Sequence, residues 1–257
     1  MTRAASRYWQ RRAGQRPLVL GHRGITTNAT ENTLAAFEGA LQAGADGVEF
    51  DVRLAQDGAV VAVHDATLTR ITRGSNTSRI AELSLSELRA VTLPCGQRIS
   101  TLDEVLTWSE RHQCRLNVEL KHEGHDPALL VAGVADATDA HGSPARLLFS
   151  SFDKATVVEL SAQLESYVVA WLTDHPADLA AAEALGERGI LAMHPKHTLL
   201  NLASFAALRQ RFDLINTWTV NDPVRVAELA RLGVDCVITD DPAGALRALK
   251  DFPAGGC

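Results

Sequence analysis

The chain alternates short runs of β-branched and other apolar residues with helical patterns almost to its end. The runs that we predict as strands begin near residues 18, 48, 115, 147, 167, 189, 214 and 236, and a helical pattern follows each one. Eight strand–helix units are the number found in a (β/α)8 TIM barrel, which is the predicted fold class. A doubly wound open sheet is the alternative, but no GxGxxG motif follows the first strand.

The length of 257 residues suits a single barrel, and no Pro/Ser-rich linker divides the chain. We therefore expect one domain over residues 1–257. One stretch, at about 65–100, breaks the alternation: it is rich in Thr, Arg, Ser and Gly and holds a single helix-like piece at 84–90. Irregular segments of this length are commonly functional. We interpret it as a small insertion after the second strand region that caps the mouth of the barrel.

Composition excludes several classes of protein. Hydrophobic residues make up 46% and charged residues 22%, which is enough for a large core and excludes disorder. The net charge of −6 argues against a nucleic-acid partner. No apolar run reaches the ~18 residues of a membrane helix, so we expect no stable membrane insertion. The four cysteines have no CxxC spacing and predict reduced thiols in a cytoplasmic protein: Cys95, Cys114, Cys236 and Cys257. Nothing in the sequence indicates an oligomeric state.

Charged and polar side chains stand at the ends of the predicted strands, where Val, Ile and Leu are expected. They are His22, Arg23, Glu49, Asp51, His64, Asp65, Glu119, Lys121, Trp218 and Asn221. Burying a carboxylate costs several kcal/mol unless it is paired or binds a metal. Residues two apart on a strand point to the same side, so Glu49 and Asp51 share a face, as do Glu119 and Lys121. We expect these groups to converge at the mouth of the barrel.

This set of side chains suggests metal-assisted phosphoester chemistry. Three carboxylates without nearby thiols favour Mg²⁺ or Ca²⁺, although the imidazoles leave Zn²⁺ or Mn²⁺ open. A cation together with Lys and Arg suits a phosphate, and two histidines suit an acid and a base. Structural ion pairs of the carboxylates with Arg23 or Lys121 are the alternative interpretation.

Six short motifs follow one another in a recognisable order. They are Gly21-His22-Arg23-Gly24, Glu31-Asn32-Thr33, Glu49-Phe50-Asp51-Val52, His64-Asp65, Asn117-Val118-Glu119-Leu120-Lys121 and Trp218-Thr219-Val220-Asn221. A last segment, Gly233-Val234-Asp235, leads to Ile238-Thr239-Asp240. This ordered set resembles the glycerophosphodiester phosphodiesterase family. One departure is Ser100, which stands where the family usually has a proline before the helix at 102–111.

The resemblance implies a (β/α)8 barrel that hydrolyses small-molecule glycerophosphodiesters to glycerol 3-phosphate and an alcohol, with one divalent cation, Mg²⁺ or Ca²⁺. It implies that Glu49, Asp51 and Glu119 bind the metal and that His22 and His64 are the catalytic acid/base pair. It further implies that Arg23 and Lys121 hold phosphate oxygens, that Trp218 walls the substrate pocket, and that Glu31 and Asn32 lie nearby, Asn32 bracing the loop. We assign His64 as the acid and His22 as the base.

Other interpretations stay open at this point. One is a phospholipase-D-like barrel that acts on lysolipids through a cyclic phosphate, and another is a non-catalytic phosphodiester-binding protein or a structural barrel. The nucleophile is water or the glycerol 2-hydroxyl. Residues 194–197, His-Pro-Lys-His, follow a predicted strand, and we interpret them as a solvated loop.

Overall fold

The computed structural model describes residues 2–122, 127–141, 144–181 and 190–252. Its strands are β1 (Leu18–His22), β2 (Gly47–Leu54), β3 (Val60–Ala62), β4 (Arg115–Leu120), β5 (Leu147–Ser151), β6 (Val168–Thr173), β7 (Ala192–Pro195), β8 (Leu214–Thr217) and β9 (Cys236–Thr239). The sheet order is β1-β9-β8-β7-β6-β5-β4-β2, and β1 also pairs with β2. These eight strands are parallel and close into a barrel, which confirms the predicted fold class. β3 lies outside the barrel, antiparallel to β2.

Helices surround the barrel and connect its strands. They are α1 (Thr2–Trp9), α2 (Leu34–Gln42), α3 (Leu85–Ala90), α4 (Leu102–His112), α5 (Pro127–Asp139), α6 (Lys154–Gln163), α7 (Pro176–Ala181), α8 (Leu202–Arg209), α9 (Pro223–Leu232) and α10 (Pro242–Ala248). Several start at side chains that accept a hydrogen bond from a free backbone N–H of the first turn, among them Thr33, Thr101 and Asp153. The strand–helix turns are therefore fixed at the C-terminal rim of the barrel.

The parallel register sets the polar residues of the first strands side by side. His22 lies opposite Glu49 in the pairing of β1 with β2. Asp51 lies opposite Glu119 in the pairing of β2 with β4. Because all three strands run in the same direction, their carboxyl ends meet at one rim, as the sequence predicted.

The barrel has an apolar interior whose lower end is closed by α1. Leu20, Leu148, Val168, Ala170, Ala192, Leu214, Cys236 and Ile238 pack together inside it. Trp9 of α1 joins this cluster with no exposed surface, and its indole N–H donates to the Ala145 carbonyl at 3.1 Å. The sequence did not predict α1, which the structure places at the end of the barrel opposite the predicted site.

The insertion has a small apolar core of its own. It contains 3₁₀ turns at 80–82 and 94–96 around α3, and its core residues are Ala55, Val61, Val63, Leu68, Ile71, Ile80, Leu88, Leu93 and Ile99. One side contacts the loop after β1, where the Thr30 hydroxyl donates to the Pro94 carbonyl at 3.1 Å. The expected insertion is confirmed, and it is a packed unit more than an irregular segment.

Several element bounds differ from the sequence prediction. β7 begins at Ala192 and not near 189, and β8 ends at Thr217, whereas the sequence predicts a strand over 214–220. The helix predicted over 198–211 is a 3₁₀ turn at 197–199 followed by α8. Gly189, residues 182–187 of the helix predicted over 176–187, and Cys257 lie outside the described residues. In the described part of the chain, no helix is long and apolar enough to cross a membrane.

Candidate active site

Three carboxylates from two neighbouring strands meet at the mouth of the barrel. Glu49 and Asp51 lie on β2, Glu119 lies on β4, and one oxygen of each is within 4.8 Å of the other two. All three residues are buried. The predicted convergence of these side chains is therefore confirmed.

Two cationic side chains flank the carboxylates. Lys121, directly after β4, places Nζ 3.3 Å from Asp51 Oδ1 and also pairs with Glu119 Oε1. Arg23, directly after β1, places Nε 3.2 Å from Asp51 Oδ2. The structural ion pairs considered as an alternative thus exist, but two cationic side chains face three carboxylates.

The electrostatics of the cluster favour an additional cation. Burial and the neighbouring charges of Asp51 and Glu119 raise the pKa of Glu49 well above its ordinary value. Burial and the charge of Asp51 raise the pKa of Glu119 to about 7. Burial acts in the same direction on Asp51, but the charges of Lys121 and Arg23 hold its pKa below the ordinary value. A divalent cation would let all three carboxyls ionise together.

Two buried carboxylate oxygens of the cluster share one cationic partner. Asp51 Oδ1 and Glu119 Oε1 are both buried, and both lie against the Lys121 ammonium, which also hydrogen-bonds Glu119. Buried oxygens of this kind are the ligands that Mg²⁺ and Ca²⁺ prefer. The donor set therefore fits a hard divalent cation held by Glu49, Asp51 and Glu119.

A strained loop after β1 holds Arg23 and Asp51 in place. Arg23 and Asn32 both have φ of 57°, a left-handed conformation that non-glycine residues rarely adopt. The Asn32 side-chain amide donates to Asp51 Oδ2 at 3.0 Å, and its Oδ1 accepts from the Asp51 backbone N–H at 3.3 Å. At Gly24, φ is 81° and a Cβ would lie 2.4 Å from the Ala36 carbonyl carbon, so the turn requires glycine. Asn32 therefore connects the loop after β1 to the Asp51 carboxylate.

Each of the two histidines has a carboxylate behind its Nδ1 atom. His22 Nδ1 lies 2.6 Å from Asp240 Oδ1, and His64 Nδ1 lies 2.6 Å from Asp65 Oδ1. An Nδ1–H donated to a carboxylate leaves Nε2 as the working nitrogen of the ring. His22 Nε2 is 4.0 Å from Glu49 Oε2, which places that ring beside the carboxylate cluster. Burial lowers the pKa of His64, although the charge of Asp51 and the hydrogen bond to Asp65 act in the opposite direction.

Asp240 and Asp65 both lie in the motifs, but neither was predicted to have a role of its own. Asp240 directly follows β9 and also accepts from Asn221 Nδ2 at 2.6 Å. The signal that could have identified it is the one used for Glu49, a polar residue where a strand ends. Asp65 is adjacent to His64 in the chain, and only the structure shows that it bonds the ring.

Trp218 stands at the rim beside a second aromatic residue. Its indole N–H donates to the His194 carbonyl at 2.7 Å, and its ring packs edge-on against Phe152, with centroids 5.1 Å apart. Lys121 Nζ lies 5.4 Å from the centroid of the Phe152 ring. The side chain of Phe152 is exposed, so the two rings form an apolar wall next to the cationic side of the site. Phe152 was missed because it follows β5 as an ordinary apolar residue.

Comparison with known proteins agrees with this geometry. Residues 22–244 match the model of the glycerophosphoryl diester phosphodiesterase family. The chain belongs to this family. A glycerophosphodiester phosphodiesterase of Bacillus altitudinis is 29% identical over 253 residues, which is 91% of this chain and 98% of the relative.

Solved structures of phosphodiesterases are also similar to this chain. The glycerophosphodiester phosphodiesterase of Thermotoga maritima is 30% identical, with a TM-score of 0.73 and coverage of 90% of this chain and 97% of that one. A phosphodiesterase of Oleispira antarctica, solved in complex with the product sn-glycerol-3-phosphate, is 26% identical, with a TM-score of 0.83 and coverage of 91% and 97%.

The sequence-based interpretation of residues 194–197 as a solvated loop is wrong for His194. His194 lies on β7 with no exposed surface, and its Nε2 is 2.8 Å from Asn216 Nδ2. Ser150 is also wholly buried, and its hydroxyl accepts from Asn117 Nδ2 at 3.1 Å. Because these strands point alternate residues into the barrel, the four side chains form a polar layer inside it.

Proposed function

We propose that the protein hydrolyses glycerophosphodiesters to glycerol 3-phosphate and an alcohol with one bound divalent cation, Mg²⁺ or Ca²⁺. Glu49, Asp51 and Glu119 bind the cation in this proposal. His22 and His64 are the catalytic acid/base pair, Arg23 and Lys121 hold phosphate oxygens, and Trp218 walls the pocket. Family membership supports the reaction, and the Oleispira antarctica relative bound to sn-glycerol-3-phosphate supports the class of substrate.

The observation that carries the proposal is a pair of imidazoles, each backed by a carboxylate, beside a buried carboxylate triad. His22 with Asp240 and His64 with Asp65 each form a 2.6 Å contact through Nδ1. A structural ion-pair network needs no such symmetric arrangement. Hydrolysis of a diester needs one proton removed from the attacking oxygen and one given to the leaving alcohol, so it uses two proton-transfer groups.

The residues of this chain divide the reaction as follows. The attacking oxygen, from water or from the glycerol 2-hydroxyl, passes its proton to His22 Nε2 as the new P–O bond forms. If the 2-hydroxyl attacks, the first product is a cyclic glycerol phosphate, and a water molecule must then open that ring to give glycerol 3-phosphate. The bond from phosphorus to the leaving alcohol oxygen breaks, and His64 Nε2–H protonates that oxygen. Arg23 and Lys121 offset the charge on the phosphate oxygens. When bound, the cation supplies Lewis-acid stabilisation of that same charge.

A product-identified assay tests the proposal. Purified protein is incubated with glycerophosphocholine, glycerophosphoethanolamine, glycerophosphoglycerol and a lysolipid, and glycerol 3-phosphate is measured enzymatically. We expect release from the glycerophosphodiesters, its loss in EDTA and its recovery with Mg²⁺ or Ca²⁺. Binding of these compounds without turnover would refute the proposal in favour of a binding protein. Formation of a cyclic phosphate from the lysolipid alone would favour the phospholipase-D-like alternative.

We further propose that residues 1–257 act as a single catalytic domain, because the barrel strands run from Leu18 to Thr239 and α1 packs against the barrel interior. A cytoplasmic location is also part of the proposal. Cys114 and Cys236 are free and buried, which suits a reducing compartment.

A further inference from the structure

One arginine of the insertion connects it to both sides of the site. Arg70 Nη1 and Nη2 donate to the two oxygens of Glu31 at 2.5 and 2.7 Å. The same guanidinium donates to Asp65, from Nε to Oδ2 at 2.7 Å and from Nη2 to Oδ1 at 3.1 Å. Arg70 thus makes four charge-assisted hydrogen bonds to two carboxylates that are 34 residues apart in the chain.

Both carboxylates continue the network toward the site. Asp65 lies 2.6 Å from His64 Nδ1, and Glu31 accepts from Arg23 Nη1 at 3.1 Å. Arg23 in turn contacts Asp51. A continuous chain of contacts therefore runs from His64 through Asp65, Arg70 and Glu31 to Arg23.

The chemistry of the guanidinium explains why an arginine occupies this position. Its planar fork presents five N–H donors in fixed directions, so one side chain can orient two carboxylates at once. With both Asp65 oxygens accepting from Arg70, the Asp65 carboxylate is ionised and its orientation is fixed. The imidazole of His64 then donates through Nδ1, which directs Nε2 away from Asp65.

We propose that Arg70 is a positioning residue that fixes His64 through Asp65 and Arg23 through Glu31, so that the insertion completes the catalytic site. The roles of His64 and Arg23 in this inference rest on the proposed function. It differs from the expectation that the insertion only caps the mouth. Within the described residues, the hydrogen bonds of the Arg70 side chain go to Glu31 and Asp65 and not to the carboxylate triad or the imidazole rings.

A matched control exists in the same insertion. Arg89 is 44% exposed and donates to Glu104 at 2.7 Å, whereas Arg70 is 48% exposed. Neither Arg89 nor Glu104 contacts a proposed site residue in the described structure. An exposed ion pair of this kind contributes little to stability, so Arg89→Lys should behave as wild type.

The test compares Arg70→Lys with Arg89→Lys. Lysine keeps the charge but cannot hold both carboxylates, so Arg70→Lys should lower kcat on an alkyl glycerophosphodiester by about 10–100-fold. In a His64→Ala background the same change should lower kcat by a clearly smaller factor than in wild type, because only the route through Glu31 to Arg23 is then left to disturb. Guanidinium ion at low concentration should partly restore Arg70→Ala and should not restore His64→Ala.

A spectroscopic readout separates this inference from the proposed function. In the substrate-free protein, ¹⁵N-labelled histidine should show a strongly downfield Nδ1 proton for His64, assigned by its absence in His64→Ala. Arg70→Lys should shift or broaden it, and Arg89→Lys should not. If wild-type protein hydrolyses no diester, the NMR result still decides whether Arg70 orients His64.

Two results would overturn the inference. One is an Arg70→Lys variant with wild-type kcat and an unchanged His64 resonance. The other is an equal loss of kcat from Arg70→Lys with and without His64. If Arg70→Lys does not fold, Asp65→Asn keeps the Arg70–Glu31 pair and interrupts the same route; a wild-type rate and resonance in that variant would also refute it.

Discussion

The buried His194 should make the stability of the barrel depend on pH. Burial lowers the pKa of this imidazole to about 3, since a charged ring inside the barrel loses its hydration. In the unfolded chain a histidine has a pKa of ~6.5. Below that pH the His194 imidazole becomes protonated in the unfolded chain but stays neutral in the folded barrel. The contribution of His194 to stability is therefore complete above ~6.5 and is lost as the pH falls toward about 3.

The size of this effect follows from the two pKa values. At a pH of about 5, the proton taken up by the unfolded chain lowers the free energy of unfolding by about 2 kcal/mol relative to neutral pH. The folded barrel offsets almost none of this loss, because its imidazole is still neutral at that pH. The variant His194→Gln retains an amide to pair with Asn216 and has no group that titrates.

The measurement is urea denaturation followed by circular dichroism at several pH values from about 7.5 to about 5, where linkage predicts the change. Between these limits, wild type should lose about 2 kcal/mol more than His194→Gln, because contributions from all other groups cancel in the comparison. His175→Gln, at a side chain 78% exposed, is the control and should keep the wild-type pH dependence. Equal pH dependence in wild type and His194→Gln would refute the reasoning.

Three further changes test the site and the barrel. Glu49→Gln should weaken Mg²⁺ or Ca²⁺ binding in calorimetry and leave the circular dichroism spectrum intact. The control Glu82→Gln, at a side chain 69% exposed, should change neither measurement. An unchanged metal affinity in Glu49→Gln would contradict the metal assignment. Trp9→Ala should lower the free energy of unfolding by about 3–5 kcal/mol in urea, and a loss below about 1 kcal/mol would show that the indole does not close the barrel. Gly47→Ala should melt well below wild type in calorimetry, since its Cβ would lie 2.1 Å from the Arg115 carbonyl oxygen; a wild-type melting temperature would contradict that contact.

The sequence could predict the strand bounds and the side chains that share a strand face, because both depend only on position along the strand. The bounds of β1, β4 and β9 agree with the prediction because apolar runs there end sharply in polar residues. Glu49 and Asp51 lie inside β2, and their two-residue spacing puts both on one face of the strand. The barrel then brings Glu119 beside them through register alone.

The roles of Arg70, His194 and Trp9 could not be predicted, because they depend on contacts between segments that are distant in the chain. Arg70 reads as a surface residue of a polar segment, and its pairing with Glu31 depends on how the insertion folds back. His194 reads as a loop residue because Pro195 follows it, yet β7 extends over both. Trp9 lies in an Arg-rich terminus, and only the packed barrel shows that its ring fills the lower end.

The central claim is that two histidines share the proton transfers of diester hydrolysis, and leaving-group dependence tests it most directly. The measurement is kcat for His22→Ala and His64→Ala on an alkyl diester and on a nitrophenyl diester, whose leaving group needs little protonation. Each variant should lose about 10²–10⁴ in kcat on the alkyl diester. The nitrophenyl diester should restore His64→Ala, which lacks the acid, and should not restore His22→Ala, which lacks the base. Near-native rates of either variant on the alkyl diester, or equal restoration of both, would contradict the account.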